Sequence, residues 1–141
     1  MLKKAMIMAA GVGSRLEPLS FAVPKPLVPL ANKPVMDILV TQLISAGIKD
    51  IIANTYYKSE DIQNHFNNSN YGANFTFIKE EKLSGTAGGV RKCMFFFYPD
   101  EDFIVLSGDG LSDLNIQEVY ESHKKSGSIV TIVTKKVDSS E

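Results

Sequence analysis

Residues 5–16 read AMIMAAGVGSRL, an apolar run that leads directly into a glycine-rich turn. A continuous run of this length is typical of a strand that is buried on both faces. The glycines that follow, Gly11 and Gly13, let the backbone pass close to a ligand and turn its N–H groups toward phosphate oxygens. The stretch therefore predicts a buried strand followed by an anion-binding loop.

Strand and helix signals alternate along the rest of the chain. Further strands are predicted at 48–55, 75–79, 103–107 and 129–134. Helices are predicted within 34–47, from about residue 59, over 86–97 and within 115–127. Pro34 is expected to be the first residue of its helix, and Asn115 with Glu118 forms a capping-box pattern. This order favours one α/β domain over residues 1–141, with a Rossmann-like α/β/α arrangement around a mostly parallel sheet.

The composition excludes several classes of function. Fifteen basic and sixteen acidic residues give a formal charge of −1, which offers no broad basic face for nucleic acid. The apolar stretch at 5–10 is too short for a membrane span. The single cysteine, Cys93, cannot form an internal disulfide, so the reducing cytoplasm is the predicted location.

The prolines at 18, 24, 26 and 29 make residues 11–33 a long structured loop, and loops of that length are usually functional. Lys25 lies between Pro24 and Pro26, on backbone held by two fixed φ angles. Arg15 presents a rigid fork of donors that matches phosphate. We therefore expect both cations to converge on one polyphosphate.

Two other loops follow predicted strands at the same edge of the sheet, where ligands of such folds bind. Asp109, just after the strand at 103–107, is placed to bind Mg²⁺, which prefers one or two carboxylates and substrate phosphates. Asp113 is either a further site residue or an ordinary turn residue. In the loop at 80–89, glycines allow close approach to a flat base, and Thr86 is expected to cap the following helix.

Common nucleotide motifs do not fit. Leu16 occupies the third glycine position of G-x-G-x-x-G, and no Gly-Lys pair completes a Walker motif. Asn54 and Thr55 stand where a dinucleotide-dependent oxidoreductase would carry an acidic residue. That class of enzyme is therefore disfavoured.

The segments MAAGVGSRLEPLS (8–20), PKPLVP (24–29) and NKP (32–34) together resemble the signature of the sugar-1-phosphate nucleotidylyltransferases. Glu17 and Ser20 are mild departures. The resemblance implies the nucleotide-diphospho-sugar transferase fold and an enzyme that joins an NTP to a sugar-1-phosphate and releases pyrophosphate. It implies catalytic roles for Arg15 and Lys25, and nucleotide binding by Ala9, Ala10, Gly11, Gly13 and Ser14.

The later loops carry the same resemblance. Residues 80–89 are similar to the family's base-recognition loop, which implies nucleotide binding by Glu80, Gly85 and Thr86. The Gly-Thr-Ala-Gly sequence at 85–88 favours GTP, with mannose-1-phosphate as the second substrate. Asp109 matches the family's metal-binding aspartate, so Mg²⁺ is the implied cofactor. Gly110 departs from the apolar residue that is more usual there.

Two alternatives stay open: a cytidylyltransferase for a phosphorylated amino alcohol such as phosphocholine, and a non-catalytic regulatory subunit that keeps the nucleotide pocket. In the family the catalytic domain continues past a strand like 129–134, and the later part supplies the sugar-contacting residues, a second metal aspartate and a strand beside the one at 103–107. We therefore expect this chain to be an N-terminal portion that binds nucleotide but is inactive alone. A homodimer is a further expectation, because an unpaired strand edge favours self-association.

Overall fold

The computed structural model describes residues 2–99 and 102–136. Its strands are β1 (Lys4–Ala9), β2 (Pro29–Leu30), β3 (Lys33–Pro34), β4 (Asp50–Thr55), β5 (Asn74–Lys79) and β6 (Phe103–Ser107). Its α-helices are α1 (Leu19–Ala22), α2 (Val35–Ser45), α3 (Ser59–Asn67), α4 (Gly85–Cys93) and α5 (Ile116–Ser126). Short 3-10 turns cover Ser14–Leu16, Lys25–Leu27 and Met94–Phe97.

The main sheet is parallel and has the strand order β5-β4-β1-β6. Its central strand, β1, pairs Lys4 with Asp50 of β4 on one side and with Phe103 of β6 on the other. Met6 and Ile7 of β1 are completely buried, as the apolar run predicts. Because the chain continues to opposite sides of β1, the loops at the carboxyl ends of the strands open a crevice there.

Helices cover both faces of this sheet. On one face α2, α3 and α5 bury apolar side chains against β1 and β4, among them Met36, Phe66 and Ile116. On the other face Cys93 of α4 and Phe97 of the following 3-10 turn pack against Met6. Burial of each large apolar side chain contributes about 1.5–3 kcal/mol. The predicted three-layer α/β/α fold with a mostly parallel sheet is confirmed.

The long loop at 11–33 is structured by short elements: two 3-10 turns, α1 and the antiparallel β2–β3 pair. Lys58 ties this loop to the start of α3, because its Nζ donates a hydrogen bond of 3.1 Å to the carbonyl of Ala22. Pro34 precedes α2 as its N-cap residue and is not the first helical residue. The expected cap at Thr86 is also wrong: α4 begins at Gly85, with Ser84 in the N-cap position.

The predicted strand at 129–134 is wrong, because residues 128–136 adopt no regular secondary structure. Ile129 and Ile132 are 97% and 78% exposed. A β-branched apolar run favours extended backbone, but a strand forms only when a neighbouring backbone completes its hydrogen bonds. No such partner is present among the described residues. Thr131 of this segment contacts α5 through a 2.8 Å hydrogen bond between its Oγ1 and His123 Nδ1.

Candidate functional site

A cavity of about 310 Å³ lies at the carboxyl ends of the parallel strands. Its wall comes from the loops after β1, β5 and β6, as the sequence predicts. The loop after β1 is the long loop at 11–33, which also contributes Lys25 and Pro26, and Asn54 comes from the end of β4. The lining residues are Met8, Ala9, Ala10, Gly11, Lys25, Pro26, Asn54, Glu80, Leu83, Gly85, Thr86, Ser107, Gly108 and Asp109.

The glycine turn after β1 packs directly on the stem of Lys25. Gly13 has a φ of 74°, in the left-handed region that favours glycine. A Cβ on Gly13 would lie only 3.1 Å from Cβ of Lys25. The 3-10 turn at Lys25–Leu27, closed by a 2.8 Å bond from the Leu27 N–H to the Pro24 carbonyl, holds the lysine from the other side. The loop thus fixes the direction of the lysine stem.

Lys25 and Asp109 form an ion pair at the cavity wall. Ser107 Oγ donates a 2.6 Å hydrogen bond to the other carboxylate oxygen of Asp109. The hydrogen bond from Lys25, and then that from Ser107, hold the pKa of Asp109 below its ordinary value, although partial burial acts in the opposite direction. The carboxylate is therefore ionised and faces a cation that comes from a different loop.

Gly108 anchors Asp109 to the central strand. Its backbone N–H donates a 2.9 Å hydrogen bond to the carbonyl of Met8. A Cβ at this position would lie 2.6 Å from that same carbonyl oxygen, so no other residue fits without a backbone shift. The sequence signal for Gly108 is a glycine between the end of a buried strand and an acidic residue, and the steric reason for that glycine is visible only in the fold.

Glu80 lies at the other end of the cavity wall and is only 3% exposed. Asn54 Nδ2 donates 2.7 Å to its Oε1, while Ser84 Oγ (2.5 Å) and Lys92 Nζ (2.8 Å) donate to its Oε2. Burial alone would raise the pKa of Glu80, but the hydrogen bonds from Lys92, Ser84 and Asn54 and the charge of Lys92 together lower it to about 2. Glu80 is thus a buried, ionised acceptor.

Asn54 and Lys92 were not predicted as site residues. The sequence signal for Asn54 is a polar side chain that directly follows the apolar residues 51–53 of β4, a strand that is almost entirely buried. Lys92 carries no such signal, because a lysine in the last turn of a helix is ordinary. Their pairing with Glu80 depends on how α4 lies against the sheet, which is tertiary information.

The structure brings most of the predicted site residues to one cavity. Eight of them line it: Ala9, Ala10, Gly11, Lys25, Glu80, Gly85, Thr86 and Asp109. Three others, Gly13, Ser14 and Arg15, belong to the adjacent turn and are not among its lining residues. Arg15 is exposed on the 3-10 turn, so its guanidinium is outside the wall where Lys25 and Asp109 meet.

Comparison with known proteins assigns the family. The model of the protein family described as "Nucleotidyl transferase" matches residues 4–141. The chain belongs to the nucleotidyl transferase family. It is 36% identical, over 95% of its length, to a UTP–glucose-1-phosphate uridylyltransferase from Synechocystis, and 37% identical, over 96%, to a mannose-1-phosphate guanyltransferase from Yarrowia lipolytica. Its fold matches the crystal structure of HddC from Yersinia pseudotuberculosis complexed with GMP-PN, with a TM-score of 0.77, 29% identity and 86% of this chain covered.

The chain spans 37% and 38% of the lengths of these two curated relatives and 54% of the HddC chain. The relatives are named as sugar-1-phosphate nucleotidyltransferases, and the match extends over almost the whole of this chain. The resemblance inferred from the loops at 8–34 is therefore confirmed at the level of the family.

Asp109 is the residue at the Lys25 end of the cavity whose carboxylate could hold a hard divalent cation. Asp109 supplies an ionised carboxylate at the wall, and no group of three or more His, Cys, Asp or Glu side chains gathers anywhere in residues 2–99 and 102–136. A single protein carboxylate completed by ligand phosphates is an arrangement that Mg²⁺ accepts.

Within residues 2–99 and 102–136, no helix has both the length and the hydrophobicity needed to cross a bilayer.

Proposed function

We propose that this chain is the nucleotide-binding part of a sugar-1-phosphate nucleotidylyltransferase. The observation that carries the proposal is the meeting of Lys25 and Asp109, from two different loops, beside the glycine turn after β1. A cation, a carboxylate and close-approaching backbone on one wall suit a metal-bound polyphosphate. The names of the relatives support the same reaction class.

In the proposed reaction a phosphate oxygen of the sugar-1-phosphate attacks the α-phosphorus of the NTP. A new P–O bond forms there, the bond to the bridging oxygen breaks, and pyrophosphate leaves with that electron pair. The attacking phosphate is already largely ionised, since its second pKa is about 6. No general base is required, and the protein's task is to orient two anions and neutralise charge.

The proposed roles follow from position. Lys25 neutralises the phosphates near the reacting centre, and Asp109 would hold Mg²⁺, which supplies positive charge to the phosphate oxygens. Gly11 offers backbone close to the phosphates. Arg15 acts as a second cation only after its exposed side chain turns toward a bound polyphosphate, so its role includes a movement on binding.

GTP is the proposed nucleotide and mannose-1-phosphate the proposed sugar substrate. Guanine carries an exocyclic amino donor, and Glu80 is an ionised acceptor at the cavity wall beside Gly85 and Thr86. Several fungal relatives are named mannose-1-phosphate guanyltransferases. The Synechocystis relative is named for UTP, so the base requires a direct test.

Two further properties belong to the proposal. We place the protein in the cytoplasm because its cysteine, Cys93, is buried and unpaired. We also propose a homodimer, because no described residue pairs with the outer edge of β5 and open strand edges favour association.

Thermal unfolding with a panel of GTP, dTTP, UTP, CTP and ATP, each with Mg²⁺, tests the proposal. A ligand at 100 times its Kd stabilises the folded state by about 2.7 kcal/mol, which raises the midpoint by several degrees. We expect GTP to produce the largest rise. A larger rise with UTP than with GTP would show that UTP is the preferred nucleotide. No rise with any NTP would overturn the proposed function.

A further inference from the structure

We infer that Lys92 is a positioning residue for the base end of the cavity: it keeps Glu80 ionised and correctly oriented without itself touching the nucleotide. The inference rests on the proposed function, since it concerns the same cavity. It gives the last turn of α4, where Lys92 lies, a role in nucleotide selection in addition to that of the glycine-rich first turn.

The geometry separates the two oxygens of Glu80. Lys92 Nζ, Ser84 Oγ and the Ser84 backbone N–H all donate to Oε2, at 2.8, 2.5 and 3.2 Å. Oε1 receives one donor, Asn54 Nδ2, at 2.7 Å. Each carboxylate oxygen carries two lone pairs, so Oε1, with a single donor, keeps capacity for a donor on a ligand. Lys92 therefore occupies the oxygen that is not needed for binding.

Asn54 supports the same arrangement. Its Nδ2 is directed to Glu80, which leaves its Oδ1 buried and without a hydrogen-bond partner among the described residues. Asn54 is 4% exposed and lines the cavity. A buried carbonyl without a donor is costly unless a ligand supplies one. A Cβ on Gly89 would lie 2.6 Å from Asn54 Nδ2, so α4 packs directly onto this pair.

The charge of Lys92 is what keeps the buried carboxylate ionised. The groups that act on Glu80 are Lys92, Ser84 and Asn54. Burial, and after it the charge of Glu80, raises the pKa of the Cys93 thiol on α4 to about 11. Only Lys92 in this set carries a positive charge. Without it, the raising effect of burial is opposed only by the hydrogen bonds from Ser84 and Asn54, so the pKa of Glu80 rises. A protonated Glu80 presents a donor where the base requires an acceptor.

The test compares NTP binding by the full 141-residue chain and three variants between about pH 5 and pH 8. Lys92→Met removes the charge at similar length, Lys92→Arg keeps it, and Arg91→Met removes the exposed neighbouring cation on the same helix. We expect Lys92→Met to bind roughly tenfold more weakly at neutral pH and progressively more weakly as the pH falls. The other two variants should bind like the wild type, with no pH dependence from Glu80.

A ¹³C NMR titration of the Glu80 carboxyl in the wild type and in Lys92→Met measures the same effect without a nucleotide. Equal affinity and an equal pH profile for wild type and Lys92→Met would overturn the inference and leave the proposed function intact. So would an unchanged Glu80 titration. A wild-type chain that binds no NTP would overturn the proposed function, and with it this inference.

Discussion

At the scale of single residues, Gly108 shows how backbone contact sets the position of a charged group. Its N–H bonds the carbonyl of Met8, and the space where a Cβ would lie is filled by that carbonyl. Asp109 follows immediately, so its distance from the end of β1 is set by this contact. The carboxylate therefore meets Lys25 because a glycine permits two backbones to touch.

Gly108→Ala should destabilise the protein by about 1–3 kcal/mol, because a methyl group 2.6 Å from a backbone oxygen forces a shift of the strand end. Gly110→Ala is the matched control, since its Cβ would meet nothing closer than Cβ of Ser107 at 3.6 Å. Urea unfolding of both variants measures the difference. Equal stability of the two would contradict the steric argument.

Lys25→Ala and Asp109→Asn should each lower turnover of the complete enzyme about a hundredfold, or roughly 3 kcal/mol in the transition state, and leave the fold intact. The loss follows from one missing charge beside the reacting phosphates. Lys125→Ala and Asp113→Asn are the controls, because both residues are exposed and neither lines the cavity. The measurement is steady-state pyrophosphate release, and wild-type rates for both cavity variants would refute the assigned roles.

At the scale of elements, local signals predicted most of the fold. The apolar runs of β1, β4, β5 and β6 and the helical spacing of α2 are visible in the sequence because burial requires them. The N-cap at Asn115 is confirmed: its Oδ1 accepts from the N–H groups of Gln117 and Glu118, and Gly127 ends the helix with a φ of 65°. The reciprocal half of the capping box differs, because Glu118 Oε1 accepts from Nδ2 of the Asn115 side chain and not from its backbone N–H. These features depend on neighbours along the chain.

The helix starts at Pro34 and Thr86 were each wrong by one residue, whereas most of the larger errors came from features that depend on distant parts of the chain. The run at 129–134 has strand composition, but without a partner strand it stays irregular and exposed. Of the site, the loops that meet at the cavity were predictable, because parallel strands bring their carboxyl ends together. The Asn54–Glu80–Lys92 network was not, because it joins two strands and a helix, and the position of Arg15 outside the wall depends on the turn after Gly13.

Asn115→Ala should cost about 1 kcal/mol, because two backbone donors at the start of α5 lose their acceptor. Ser122→Ala, at an exposed position within the same helix, should leave stability unchanged or raise it slightly. Thermal or urea unfolding distinguishes the two. A loss of equal size for both would mean that the Asn115 side chain does not act as a cap.

At the scale of the whole molecule, we propose that these 141 residues supply one wall of a reaction site. We expect them to bind an NTP and to release no pyrophosphate when a sugar-1-phosphate is added, since the chain covers less than two fifths of the two curated relatives described above. A pyrophosphate-release assay with several NTP and sugar-phosphate pairs measures this. Robust turnover by this chain alone would contradict the expectation.

The ion pair between Lys25 and Asp109 has a consequence for which anions enter the cavity. Each charge is already matched by the other, so a lone orthophosphate that draws away the ammonium leaves the carboxylate without a counterion. A polyphosphate that arrives with its own divalent cation replaces both partners at once. On the proposed function, the resting ion pair therefore disfavours binding of free phosphate and favours a polyphosphate that arrives together with its metal ion.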